Sequence, residues 1–246
     1  MEIKGILFDK DGTIIDFNEV WGTAATPVIE TIMSEYGIAC DTNILSEALE
    51  SIGVYDSVIA PEGALAWKPY NLIAEDLLSV LEKFSENISC QSLEKSLKKG
   101  FYEQVTLVRE DYPVFTDMKA LMQKLKDKGI NVGIATTDEY EATKKCMEKL
   151  SVDEYITFYG TAGTDYPVKP DGRLIELAAQ QWKITPQQIL MIGDTPNDMR
   201  FAKNGGAYAV GVTCGVGKKN DMEPLADRII DSIDDLLELL EELWQR

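Results

Sequence analysis

From Pro113 onward, short apolar runs alternate with stretches of helical apolar spacing, and no other feature of the chain constrains its fold as much. A helical pattern (Met118, Leu121, Met122, Leu125) stops at Lys128-Gly129, a glycine end of the kind that closes helices. Strands are predicted at Val132–Ala135, Tyr155–Tyr159, Ile189–Ile192 and Ala207–Val212. Helices are predicted at Glu139–Leu150, Leu174–Trp182, Asn197–Asn204 and Ile233–Trp244. Apolar strands separated by helices form a parallel sheet covered on both faces. The run Ile3–Phe8, closed by Asp-Lys-Asp-Gly, adds another buried strand. From about Asn18 to Tyr112 the spacing is helical (Val28, Ile29, Ile32, Met33, Tyr36; later Ile73, Leu77, Leu78, Leu81). Gly37, Gly53, Pro61, Gly63 and Pro69 punctuate that block, and no strong strand pattern is legible in it. The expected fold is α/β: a doubly wound parallel-sheet core from residues 1–16 and 113–246, interrupted by a helical insertion over 17–112.

Charge and residue usage narrow the chemistry. Lys plus Arg number 24 against 42 Asp plus Glu, a net charge of −18, so nucleic-acid and membrane-surface partners are disfavoured. An anionic substrate then needs a locally positive site or a divalent metal. The chain contains no histidine, which removes Ser-His-Asp and Cys-His catalysis and histidine-ligated zinc. Cys40, Cys90, Cys146 and Cys214 lie far apart, with no metal-knuckle or redox spacing. The opening MEIKGILFDKDG does not read as a signal peptide, and no apolar run approaches the ~20 residues that span a bilayer. The expected address is cytoplasmic, and the oligomeric state is open.

In a doubly wound sheet, ligands gather at the carboxyl ends of strands, and four sequence stretches there carry suitable residues. Phe8-Asp9-Lys10-Asp11-Gly12-Thr13 ends the first strand, where Asp9 and Asp11, two apart in extended chain, can share one space. Ile134-Ala135-Thr136-Thr137-Asp138 offers a hydroxyl and free backbone N–H groups to a phosphate; ordinary helix capping explains it equally well. Val168-Lys169-Pro170-Asp171 brings a lysine ahead of a helix. Ile192-Gly193-Asp194-Thr195-Pro196-Asn197-Asp198 has a proline suited to a first helical turn, with Asp198 about one turn beyond Asp194. Carboxylates without histidine or thiolate suit Mg²⁺ rather than zinc.

In order and sheet position, FDKDGT, ATT, KPD and GDTPND resemble the haloacid dehalogenase superfamily, and within it phosphatases similar to phosphoglycolate phosphatase. The resemblance covers the core, with the insertion where that family carries a helical cap. It implies Asp9 as nucleophile, Asp11 as general acid/base, and Thr136, Thr137 and Lys169 at the phosphate. It also implies Asp9, Asp11 (by its backbone carbonyl), Asp194 and Asp198 around Mg²⁺. Two departures stand out: Thr137 where Asn is frequent, and Asp16-Phe17 in place of Asp-Ser beside the cap. The chemistry is coherent without the family. Phosphoryl transfer needs an in-line nucleophile, neutralised equatorial oxygens and a proton for the leaving oxygen. Asp11, kept protonated by neighbouring carboxylates, is expected to supply that proton.

The expected activity is hydrolysis of a small phosphorylated metabolite, a phosphoglycolate-like monoester, through an aspartyl-phosphate. A phosphomutase on the same core and a catalytically silent binding or regulatory protein are the alternatives. A dehalogenase needs neither Asp11 nor Asp194, and an ion-pumping ATPase needs membrane spans. Within the insertion, Glu62–Asn71, including Trp67 and Lys68, is a candidate to face the substrate, with Lys68 touching an anionic group.

Overall fold

Gly5, Ile6, Leu7 and Phe8 are all buried, as both faces of a central parallel strand must be. In a computed structural model, which describes residues 2–60, 62–162, 167 and 169–245, they form β1 (Gly5–Phe8). The chain divides into two units, Met1–Asp16 with Asp111–Arg246, and Phe17–Glu110. Val168 and the side chain of Trp67 lie outside the described residues.

The Phe17–Glu110 unit is mainly helical. It contains α1 (Thr23–Glu35), α2 (Thr42–Ser51), α3 (Ala64–Trp67), α4 (Tyr70–Leu81) and α5 (Cys90–Phe101), with π-helical turns at Asn18–Gly22 and Tyr102–Val108. Val28, Ile29, Ile32 and Met33 are buried, as the helical spacing predicts. One element departs from expectation, an antiparallel hairpin of β2 (Val54–Tyr55) and β3 (Val58–Ile59). Its turn residues Asp56 and Ser57 have φ of 49° and 65°, the left-handed pair that a two-residue hairpin requires. Val54 and Ile59 are buried while Tyr55 and Val58 are exposed, but so short an alternation leaves no legible period. Asn18 Oδ1 accepts the Ile59 N–H at 2.9 Å and ties the hairpin to the first helical turn.

The other unit continues with α6 (Met118–Asp127), β4 (Asn131–Glu139), α7 (Tyr140–Lys149), β5 (Ile156–Ala162), α8 (Arg173–Trp182), β6 (Ile189–Gly193), α9 (Pro196–Gly205), β7 (Tyr208–Val212), α10 (Lys219–Met222), β8 (Arg228–Ile230) and α11 (Leu236–Trp244). The six strands form one sheet in the order β5-β4-β1-β6-β7-β8, parallel throughout. β4 runs past the predicted Ala135 to Glu139, with a register break after Ala135 that takes in the Thr136 turn. β8 was not legible in the sequence: it is a short edge strand whose residues are only half-buried. Phe8 pairs with Ile134 on one side and Ile192 on the other, so the chain just past Phe8 lies level with the chain just past Ile134 and Ile192. Strand order reverses at β1, and the crevice beyond its carboxyl end is where such sheets bind ligands. No helix among the described residues is long and apolar enough to cross a membrane.

Candidate active site

Asp9 is the first residue past β1, and its N–H still donates to the Ile192 carbonyl at 2.8 Å. The chain then folds back tightly. The Lys10 carbonyl accepts from the N–H groups of Ile14 and Ile15, and Gly12, at φ +81°, makes the left-handed corner. On the neighbouring strand, Asp194 follows β6 and α9 begins. Thr195 caps that helix: its hydroxyl accepts the Asp198 N–H at 3.3 Å, while Asp198 Oδ2 accepts from the Thr195 N–H at 3.0 Å. Asp198 is therefore the reciprocal partner of a capping box, a role that sequence reasoning did not assign to it. Its other oxygen, Oδ1, accepts from Lys169.

Lys169 binds these segments together. Its Nζ donates to Asp9 Oδ1 at 2.5 Å and to Asp198 Oδ1 at 2.7 Å, with all three side chains nearly inaccessible. One carboxylate oxygen from each of Asp9, Asp194 and Asp198 lies within 4.8 Å of the others. Asp194 Oδ2 accepts the Val216 N–H at 2.8 Å, whereas its buried Oδ1 has no hydrogen-bond partner among the described residues. A buried carboxylate oxygen without a donor is costly unless a cation meets it. Three hard oxygen donors, one each from Asp9, Asp194 and Asp198, fit Mg²⁺. Glycines make room for Asp194: a methyl group on Gly12 or Gly215 would collide with its carboxylate, and one on Gly217 with its backbone carbonyl.

The electrostatics follow from three clustered, buried carboxylates, two of them bonded to the Lys169 ammonium. Burial pushes Asp9 up to about 7, against the pull of Lys169 and with help from Asp198. Asp194 is held well above the carboxylate range by burial and then by Asp9 and Asp198. Burial alone would lower Lys169, but Asp198 and Asp9 outweigh it and hold its pKa above the ordinary lysine value.

Residues 3–206 match the sequence model of a family described as haloacid dehalogenase-like hydrolase. The chain belongs to that family. Escherichia coli (strain K12) phosphoglycolate phosphatase is similar, at 27% identity over 242 residues, covering 97% of this chain and 93% of the relative. A crystal structure of a predicted phosphoglycolate phosphatase from Haemophilus somnus 129pt shares the fold at TM-score 0.70 and 18% identity, covering 97% of this chain and 98% of that one. A β-phosphoglucomutase from Clostridium difficile does so at TM-score 0.61 and 18% identity, covering 99% and 100%.

Within this hydrolase of the haloacid dehalogenase-like family, the remaining expected site residues fall in different places. Thr136 is buried, and its hydroxyl accepts the Asp138 N–H at 3.2 Å. Thr137 is exposed. The Asp11 carboxylate is not part of the Asp9–Asp194–Asp198 cluster: its Oδ2 meets Lys10 Nζ at 2.7 Å. The expectation of Asp11 flanked by carboxylates thus gives way to an ammonium partner. In the Phe17–Glu110 unit, Lys68 Nζ pairs with Asp76 at 2.6 Å. Sequence reasoning also passed over the loop after β7, whose Cys214-Gly215-Val216-Gly217 wraps Asp194. A glycine pair at the carboxyl end of a predicted strand was the available signal.

Proposed function

We propose that this hydrolase is a Mg²⁺-dependent phosphomonoesterase acting on a small phosphorylated metabolite, with a phosphoglycolate-like ester as the substrate class. The observation that carries the reading is the buried Asp9–Lys169–Asp198 constellation beside the partnerless Asp194 oxygen. The similarity to phosphoglycolate phosphatase over nearly the whole chain supports it. Asp9 attacks phosphorus and forms an aspartyl-phosphate while the ester oxygen leaves. Asp11 acts as general acid/base: in its protonated form it gives that oxygen a proton, and the carboxylate so formed takes one from the water that cleaves the acyl-phosphate, which restores Asp9 and protonated Asp11. Lys169 neutralises charge on the phosphoryl oxygens, and Thr136 contributes its hydroxyl to holding them. Asp9, Asp194 and Asp198, with the Asp11 carbonyl, would hold Mg²⁺, which when bound offsets repulsion between carboxylate and phosphate. Residues 17–112 act as the cap that selects the substrate.

Phosphate release across a panel of small phosphate esters with Mg²⁺ tests the proposal. Wild type should turn over at least one, and Asp9→Asn should be inactive with an unchanged circular-dichroism spectrum, since the amide keeps the shape but is a far poorer nucleophile. Activity retained in Asp9→Asn would refute the role of Asp9. An aldose 1-phosphate in the panel distinguishes a phosphomutase, which would yield a positional isomer instead of free phosphate.

A further inference from the structure

Lys10, between the two aspartates of the first motif, is among the most deeply buried side chains of the protein, at 1% exposure. Its ammonium lies 2.7 Å from Asp11 Oδ2 and 3.2 Å from Asp138 Oδ2. Burial by itself disfavours the charge, but Asp11 and Asp138 outweigh it and hold Lys10 well above the ordinary lysine range. Stability alone does not call for this arrangement. An apolar side chain of similar length in the same space is often as stable as a buried ion pair, or more so. What a charged clamp adds over methionine is a defined position for its partners.

Those partners belong to two loops on adjacent strands. Asp11 sits in the turn after β1, two residues from Asp9. Asp138 follows Thr136 by two residues on β4, and its N–H donates to the Thr136 hydroxyl. A single ammonium thus ties the proton-transfer carboxylate to the segment holding the phosphate-facing hydroxyl.

We propose that Lys10 is a positioning residue for proton transfer, holding the Asp11 carboxylate in place and registering it against the Thr136 turn through Asp138. This rests on the phosphatase reading above. Lys10 does not touch the substrate; it acts through Asp11.

The test is steady-state kinetics with Mg²⁺ on p-nitrophenyl phosphate, whose leaving group needs no proton, and on an alkyl phosphate, whose leaving group does. Wild type, Lys10→Met, Lys10→Arg, Asp138→Asn, Asp11→Asn and the Lys10→Met/Asp11→Asn double variant are compared. General acid–base catalysis is worth about 10²–10⁴-fold, so Lys10→Met should lose about tenfold or more in kcat on the alkyl ester beyond its loss on the aryl ester. KM should change little on either. Lys10→Arg should recover most of the selective loss, and Lys10→Met should add no further selectivity in the Asp11→Asn background. Asp138→Asn, at a partly exposed position, should give a smaller selective loss and decides the matter if Lys10→Met does not fold. Equal losses on both esters, or no rescue by arginine, would overturn the proposal while leaving the phosphatase reading intact. The alkyl ester is one that wild type turns over in the panel above, and a wild type inactive across that whole panel would overturn both.

Discussion

Replacing Lys169 by methionine removes the ammonium bonded to Asp9 and Asp198, at 2.5 and 2.7 Å, with side-chain exposures of 4%, 10% and 3% for Lys169, Asp9 and Asp198. The methionine fills the space, so the change is electrostatic rather than a cavity. Breaking a buried pair from one side costs roughly 3–5 kcal/mol, because the partner charge stays buried and uncompensated. Asp9, already pushed up to about 7, relieves part of this by taking a proton, so the full cost is expected at pH 8 and less at pH 6. At about 2–4 °C per kcal/mol for a protein of this size, the midpoint at pH 8 should fall by roughly 6–20 °C. The assay is thermal unfolding of the metal-free protein in EDTA at both pH values, repeated with Mg²⁺. Saturating a site at 100 times Kd adds about 2.7 kcal/mol to the folded state. Mg²⁺ should therefore stabilise Lys169→Met more than wild type, since the variant site carries one more uncompensated negative charge. A loss below about 1 kcal/mol at pH 8 in EDTA, or Mg²⁺ shifts no larger in the variant, would refute the idea that Lys169 neutralises this cluster.

Asp9 also gives the metal-free wild type a pH dependence. Its raised pKa means the folded state binds a proton that the unfolded state lacks between 3.8 and about 7; that stabilising contribution is full below 3.8 and lost as pH rises through 7. Unfolding midpoints in EDTA should accordingly fall from pH 6 to pH 8, and Mg²⁺ affinity by isothermal titration should rise over the same interval; the opposite slope for Mg²⁺ would exclude Asp9 as a ligand. Gly12→Ala places a methyl against the Asp194 carboxylate at a φ of +81°; the left-handed backbone costs the fold ~1–2 kcal/mol, while the displaced Asp194 ligand should lower Mg²⁺ affinity and turnover about tenfold or more, and unchanged titration would show that Asp194 is not held this way. Replacing Gly63–Asn71 should alter the ranking of kcat/KM among phosphate esters more than the rate on p-nitrophenyl phosphate, and an unchanged ranking would move specificity to another stretch of the insertion.

Short-range physics is legible in the chain itself. The alternation after Pro113, the glycine stop at Gly129, and Pro196 opening α9 each depend on residues within a turn or two of one another, and they predict the core elements to within a few residues. Motif order along a doubly wound sheet likewise indicates that Asp9, Thr136, Lys169 and Asp194 gather at strand ends. Long-range partnerships are another matter. That Lys169 donates to Asp9 and Asp198 depends on segments separated by 160 and 29 residues being brought to one point. Asp11 facing Lys10 rather than the metal-type cluster, and Asp138 completing that clamp, depend on which side of β1 each residue leaves the strand and on what α7 and β4 place there. The β2–β3 hairpin and the edge strand β8 are too short for a period to register, so only pairing across the chain creates them. Residue type and spacing set which groups are available for chemistry; burial in a shared crevice decides which of them meet, and with that which carboxylate keeps a proton and which oxygen is left for a cation.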